Sequence, residues 1–141
     1  MRFYEATTDI AAGPEEVWAV LSDAVRWPSW DSGVDSVEGR LALGEKVTIR
    51  AAMAPNRAFP VTVTTWEPPT RLRFSGGMPL GLFRGVRTYS LYPNGPGLTK
   101  FHLREEYTGP LLGLIWRSMP DLAPSFDRFA RGLKQWVESG D

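Results

Sequence analysis

Phe83-Arg84-Gly85-Val86-Arg87-Thr88-Tyr89-Ser90-Leu91-Tyr92, then Pro93-Asn94-Gly95-Pro96-Gly97, then Leu98-Thr99-Lys100-Phe101-His102-Leu103-Arg104-Glu105-Glu106-Tyr107-Thr108: two arms flank the strongest turn in the chain. Successive side chains of a strand point to opposite faces, and a Pro/Asn/Gly cluster reverses the chain. The stretch therefore reads as an antiparallel hairpin. In the second arm Phe101, Leu103, Glu105 and Tyr107 share one face, and Lys100, His102, Arg104 and Glu106 share the other. The first set is the apolar one and is expected to face the core, which leaves Glu105 as a carboxylate on an apolar face. In the first arm Phe83, Gly85, Arg87, Tyr89 and Leu91 share a face, and Arg87 is likewise a charge among apolar neighbours. Any register that aligns the two apolar faces sets Arg87 opposite Glu105 or one pair away. Same-face cross-strand neighbours stand about 5 Å apart at Cβ. The reading is an inward Arg87–Glu105 ion pair with Tyr89 nearby.

Upstream of the hairpin the chain reads as more strands. Arg2 to Ile10 opens it. Val34 to Arg40, Gly44 to Met53, Phe59 to Glu67 and Arg71 to Ser75 follow, separated by turns such as Ala54-Pro55-Asn56-Arg57 and by Pro68-Pro69. Short turns between strands imply an antiparallel meander. Gly76-Gly77-Met78-Pro79-Leu80-Gly81 reads as a mobile, partly apolar loop. Between the first two strands, Gly13 suits an N-cap and Pro14 the first helical position, where its missing N–H costs nothing. Glu15 and Glu16 then lie at the positive end of the helix dipole. The helix should end near Ser22-Asp23. Arg26-Trp27-Pro28-Ser29-Trp30-Asp31 reads as one short helical turn and a bend, because Pro28 disfavours helix at Trp27. Its tryptophans either pack on the sheet or edge a pocket.

The C-terminal third is helical. Leu111 to Met119 has helical spacing and is interrupted by Pro120. Beyond it, Leu122, Phe126, Phe129, Leu133, Trp136 and Val137 form an amphipathic stripe. Pro124 is tolerated if this helix begins near Asp121. The fold class is thus α+β: an antiparallel sheet wrapped around a long C-terminal helix, with short helices after the first strand. Residues 1–141 read as a single domain, a length typical of one.

Composition narrows the function. With no cysteine, thiolate chemistry and cysteine-held metals are excluded. The 16 basic and 16 acidic residues cancel, and no basic block suggests nucleic acid or an anionic membrane surface. The longest apolar run, Leu111 to Trp116, is far short of the ~20 residues of a spanning helix. The N-terminus does not read as a signal peptide, and the expected location is cytoplasmic. His102, the lone histidine, falls on the outward face, so no metal site is expected. No serine sits in a nucleophile elbow, no glycine set forms a phosphate loop, and no cofactor is expected.

Three patterns in this order, Ala12-Gly13-Pro14-Glu15-Glu16-Val17-Trp18, Trp27-Pro28-Ser29-Trp30-Asp31, and Thr99-Lys100-Phe101 running on to Glu105-Glu106-Tyr107-Thr108-Gly109, resemble the SRPBCC superfamily. These are the START-related, Bet v 1-like helix-grip proteins, polyketide cyclase/dehydrase-like members among them. The resemblance covers nearly the whole chain. It implies a seven-stranded sheet gripping the last helix and a cavity between them for a lipid-, polyketide- or steroid-like molecule. Relatives often carry histidine where Arg87 stands; arginine stays protonated, which argues against acid/base work at that position.

The Arg87–Glu105 pair admits three readings. It is structural, it orients a ligand, or it is catalytic, with Glu105 as general base and Arg87 or Tyr89 stabilising an enolate. The expected ligand-contacting residues are Met53, Trp66, Phe74, Phe83, Phe101, Leu103, Tyr107, Trp116, Met119 and Phe126, each of which also suits plain core. The loop Gly76–Phe83 and the segment Leu111–Met119 read as an entrance. The expected function is binding of a small apolar ligand by a monomer or homodimer. The alternatives are a cyclase, dehydratase or isomerase, and a co-chaperone-like interaction domain.

Overall fold

The structure is a computed structural model and describes residues 1–140. Seven strands, β1 (Arg2–Ile10), β2 (Val34–Glu38), β3 (Lys46–Ala51), β4 (Phe59–Glu67), β5 (Arg71–Gly77), β6 (Arg84–Pro93) and β7 (Thr99–Thr108), form one antiparallel sheet. Its order is β1-β7-β6-β5-β4-β3-β2, a meander from β2 to β7 with β1 added at the β7 edge. Helices α1 (Pro14–Leu21), α2 (Leu112–Ser118) and α3 (Ala123–Glu138) complete the α+β helix-grip fold, in which α3 packs on β1 and β7.

The helix boundaries follow local chemistry. Gly13 is the extended N-cap of α1 and Pro14 opens the helix. Helix α3 starts at Ala123, near Asp121 as expected and with Pro124 in its first turn; the Asp121 carboxylate accepts the Ala123 N–H at 3.0 Å. Strand β5 runs on through Gly76 and Gly77, read from sequence as loop, since these pair with Gly85 and Arg84. The loop proper is then short, with a 3-10 turn at Pro79–Gly81.

The β6–β7 register places Arg87 opposite Glu105 and Tyr89 opposite Leu103. The β4–β5 pairing slips between Val63 and Thr65. One extra residue in a strand turns everything beyond it to the other face. Val63 and Trp66 therefore both face the core, opposite Phe74 and Leu72. Trp66 meets Trp18 of α1 edge-on, with ring centroids 5.3 Å apart.

The core is aromatic. Trp27 lies 5.0 Å from Phe129, 5.7 Å from Tyr89 and 6.2 Å from Phe74, centroid to centroid. Its indole N–H donates to the Leu21 carbonyl, 3.0 Å away, so the buried ring leaves no unpaired donor. Trp27 and Trp30 are both buried, each with its ring against Phe129. Phe101, Leu103, Leu72 and Leu133 are also fully buried.

Helix α3 is held at its centre and at its C-terminal end. At the centre, a β-carbon on Gly132 would fall on the Asp31 carbonyl oxygen, so the chain approaches the helix as closely as glycine permits. Arg128 Nε also reaches Asp31 Oδ1, at 2.7 Å. Near the end, Lys134 Nζ donates to the Asp9 carbonyl and Glu138 Oε2 accepts the Ala11 N–H, both at 2.8 Å.

Glycine to alanine in a helix interior ordinarily stabilises by up to about 1 kcal/mol. Gly132→Ala is expected to reverse that sign and cost about 1–3 kcal/mol through overpacking. Denaturant midpoints measure it, and a stabilised variant would contradict the close approach.

Candidate functional site

Along α3, packing changes from closed to open. Around Phe129 and Leu133 the space between helix and sheet is filled by Tyr89, Phe101 and Leu103. Towards Leu122 the inward residues Tyr4, Ile49, Val61, Gly76, Arg87 and Glu105 are only half-buried. The expected cavity along the helix is thereby corrected: the middle of the helix lies on solid core, and the interface is only half-buried towards Leu122. Phe101 and Leu103 belong to solid core, and the Tyr89 ring sits within 6.4 Å of Trp27, Phe74, Phe101 and Phe129. Two surface hollows accompany this arrangement. One of about 380 Å³ is lined by Trp30, Gln135 and Trp136, and one of about 230 Å³ by Gly76, Met78 and Arg84.

At the open end one row of the sheet runs Tyr4, Glu105, Arg87, Phe74, Val63. Arg87 NH1 stands 3.5 Å from Glu105 Oε1, with 29% and 19% of the two side chains exposed. That distance makes an ion pair but not a good hydrogen bond. The guanidinium lies 4.7 Å above the Phe126 ring and 5.6 Å from that of Tyr89. Its Nε is buried and makes no hydrogen bond; Tyr107 Oη is also buried and is turned to the Glu105 carboxylate, without a well-formed hydrogen bond. In the next row inward-facing Gly85 stands opposite Tyr107. The Glu105 carboxylate leans over it, with Oε2 at 2.5 Å from where a β-carbon would be.

The electrostatics follow from this placement. Burial pushes the Glu105 carboxyl above the ordinary carboxylate range, and the Arg87 charge offsets only part of that. Burial opposes the Arg87 charge, but Tyr89 and Glu105 outweigh it, so Arg87 stays protonated. Burial also raises both phenols: Tyr89 to about 12, with Arg87 opposing, and Tyr107 with Glu105 adding to the effect.

Aromatic rings wall this spot. Trp116 of α2 stacks on Tyr4, centroids 5.2 Å apart, and lies 5.6 Å from Tyr107. Phe83 stacks on Tyr107 from the other side, at 6.0 Å. The two segments read as an entrance meet here: the Leu111 N–H donates to the Leu82 carbonyl at 3.0 Å. Met119 is half-buried at the end of α2. Met53 is exposed and accepts a hydrogen bond from Ser125 Oγ at 3.1 Å, bridging the turn after β3 to the start of α3.

The structure thus brings Arg87, Glu105, Tyr107, Phe74, Phe83, Trp116 and Phe126 together. Trp66 lies apart, on α1. Tyr4 and Gly85 were missed as site residues. Alternation along Arg2–Ile10 could have placed Tyr4 inward, and a glycine within a strand marks a close approach. On the outer face His102 Nε2 pairs with Glu5 Oε1 at 2.8 Å. Among the described residues no cluster of three His, Asp or Glu could hold a metal ion, and no helix is long and apolar enough to cross a membrane.

A curled sheet gripping one long helix, with a half-buried ion pair set among aromatic rings at one end, defines a helix-grip protein. Residues 1–138 match the family described as polyketide cyclase / dehydrase and lipid transport, and the chain belongs to it. An uncharacterised protein of Mycobacterium tuberculosis is 25% identical over 146 residues, covering 96% of this chain and 84% of that one. A START superfamily protein from Mycobacterium smegmatis shares the fold, with a TM-score of 0.74, 16% identity and 99% of each chain covered. So does the di-domain ARO/CYC BexL of the BE-7585A biosynthetic pathway, with a TM-score of 0.73 and 19% identity over 98% of this chain and 47% of that one.

A carboxyl that is harder to ionise folded than unfolded binds its proton more tightly in the folded state. Its contribution favours folding at pH below the unfolded value, about 4.3, and is lost as pH rises through the raised folded value. Glu105→Gln imitates the protonated form. It is expected to melt higher than wild type at neutral pH, with the difference closing as pH falls to about 4. Thermal melts at stepped pH measure this, and a gap that widens on acidification counts against it.

Proposed function

We propose that this chain binds a small apolar molecule carrying one oxygen-bearing polar end. The molecule is lipid-, polyketide- or steroid-like and sits at the open end of the grip. The observation that carries this is a pair of buried donors beside Glu105: Arg87 Nε, which makes no hydrogen bond, and Tyr107 Oη, which has only a loose contact with the Glu105 carboxylate. Buried polar groups are nearly always hydrogen-bonded. Both groups donate, so they suit an acceptor: a carbonyl, carboxylate or phenolate oxygen. Tyr4, Phe74, Phe83, Trp116 and Phe126 supply flat apolar walls for the rest of the molecule. Family membership supports an apolar ligand.

A second reading, cyclisation or dehydration of a polyketide-like substrate, draws on the raised Glu105 carboxyl. Shifted this way, Glu105 could take a proton next to a substrate carbonyl. Arg87 and Tyr107 would then stabilise the enolate oxygen. The aromatic packing around Tyr89 makes Tyr107 the better donor for that role.

Native mass spectrometry of freshly purified protein should reveal a co-purified small molecule. Titration with anilinonaphthalene sulfonate, an apolar probe with anionic oxygens, should show Arg87→Met binding about tenfold or more weakly than wild type, the usual cost of a lost charged hydrogen bond. Equal affinities would remove Arg87 from the site. Glu105→Gln should retain probe binding. Loss of turnover of a later-identified substrate in that variant would select the enzymatic reading.

A further inference from the structure

The rim of the opening carries features that the ligand site does not use. Leu80 is 97% exposed and has φ 61°. A bulky side chain strains in that left-handed region, where glycine sits freely. Full exposure means that no packing within the chain compensates for the strain. Strain held in place without local benefit points to a function. Met78, two residues away, is 42% exposed.

Helix α2 faces the same rim. It carries Leu112, Leu114, Ile115 and Trp116 but contains no buried residue, and Leu114 is 69% exposed. The apolar side of such a helix is normally covered. Here Trp116 turns inward onto Tyr4 and Tyr107, while Leu114 is left uncovered. The Leu111–Leu82 backbone bond and the approach of Gly109 to the Gly81 and Leu82 carbonyls hold the two apolar tips on one rim.

Positive charge predominates at this rim. Residues 76–104 and 107–120 contain no aspartate or glutamate. Arg84 and Arg117 are exposed, and exposed Arg2 lies over Trp116 at 5.5 Å. The nearest acids in sequence, Glu105, Glu106 and Asp121, are engaged by Arg87, by Arg104 and by the Ala123 N–H. Apolar tips among arginines match a bilayer surface with anionic headgroups: leucines enter the acyl boundary and guanidiniums meet the headgroup charge.

We propose that this rim, Met78, Leu80 and Leu114 framed by Arg2, Arg84 and Arg117, docks the opening onto an anionic lipid surface. The inference stands on the rim alone and not on the ligand reading. It is tested by flotation of the full chain with vesicles of phosphatidylcholine alone or mixed with phosphatidylglycerol. Wild type should float with the mixed vesicles, less with phosphatidylcholine alone, and less again as salt rises. Leu80→Gly relieves the strained backbone, so it should melt at the wild-type temperature or above while losing vesicle affinity roughly tenfold, the effect of removing one inserted leucine. Leu114→Asp should lose at least as much. Affinity for anilinonaphthalene sulfonate without vesicles should be unchanged in Leu80→Gly. The proposal is overturned if wild type ignores anionic vesicles, or if both variants float as wild type does. A parallel fall in probe affinity would assign Leu80 to the ligand site instead. A concentration-dependent dimer broken by Leu80→Asp would make a second copy of the chain the occupant.

Discussion

The pairing of β6 with β7 fixes the position of every group at the site. A sheet has two faces, and a slip of one residue exchanges them. In the observed register, Tyr89 and Leu91 meet Leu103 and Phe101 beneath α3, and Arg87 meets Glu105. Slipped by one residue, the arms would set Arg87 against an outward residue and expose Phe101 or Tyr89 to water. The aromatic core therefore enforces the ion pair. Burial of Tyr89, Phe101 and Leu103 is the dominant free energy, and the two charges are carried inward because they stand on the same alternation.

Carrying them inward is costly. Taking an ion pair out of water often offsets what the attraction returns. Here the attraction does not fully compensate, since Glu105 is harder to ionise than a free carboxyl even beside an arginine. Arg87 Nε goes without a partner, and Tyr107 Oη has only a loose contact with the Glu105 carboxylate. A pair serving stability alone would be better replaced by apolar side chains, which is why the spot is read as a place for a ligand's polar end.

Much of this arrangement was legible in the sequence. Turn chemistry and alternation gave the hairpin, the amphipathic stripe gave α3, and the charges at 87 and 105 stood out against their apolar neighbours. What was not legible depends on three-dimensional space. The extra residue between Val63 and Thr65 leaves no compositional trace, yet it decides that Trp66 faces inward. Gly132 looks like a weak point in a helix until Asp31 is seen against it. Phe101 and Leu103 could not be told from cavity lining, because side-chain type does not say whether the opposite wall is near. Tyr89 and Tyr107 lie on the same face of adjacent strands, and only packing shows that one ring is enclosed by other rings while the other adjoins the opening.

The attachments of α3 are unevenly distributed. Lys134 and Glu138 tie its last turns to the end of β1, and Gly132 and Arg128 fix its middle. Its first turn is held by Asp121 and by the Ser125–Met53 contact. Mechanically, the helix is a beam clamped at one end and supported at mid-span, with its free end over the ion pair. Bending such a beam moves the free end most and the clamped end least. Any load beside Phe126 therefore falls on the most lightly held turn of α3, while the rings around Trp27 lie by its firmer supports. Compliance and rigidity thus reside in one helix, separated by about two turns.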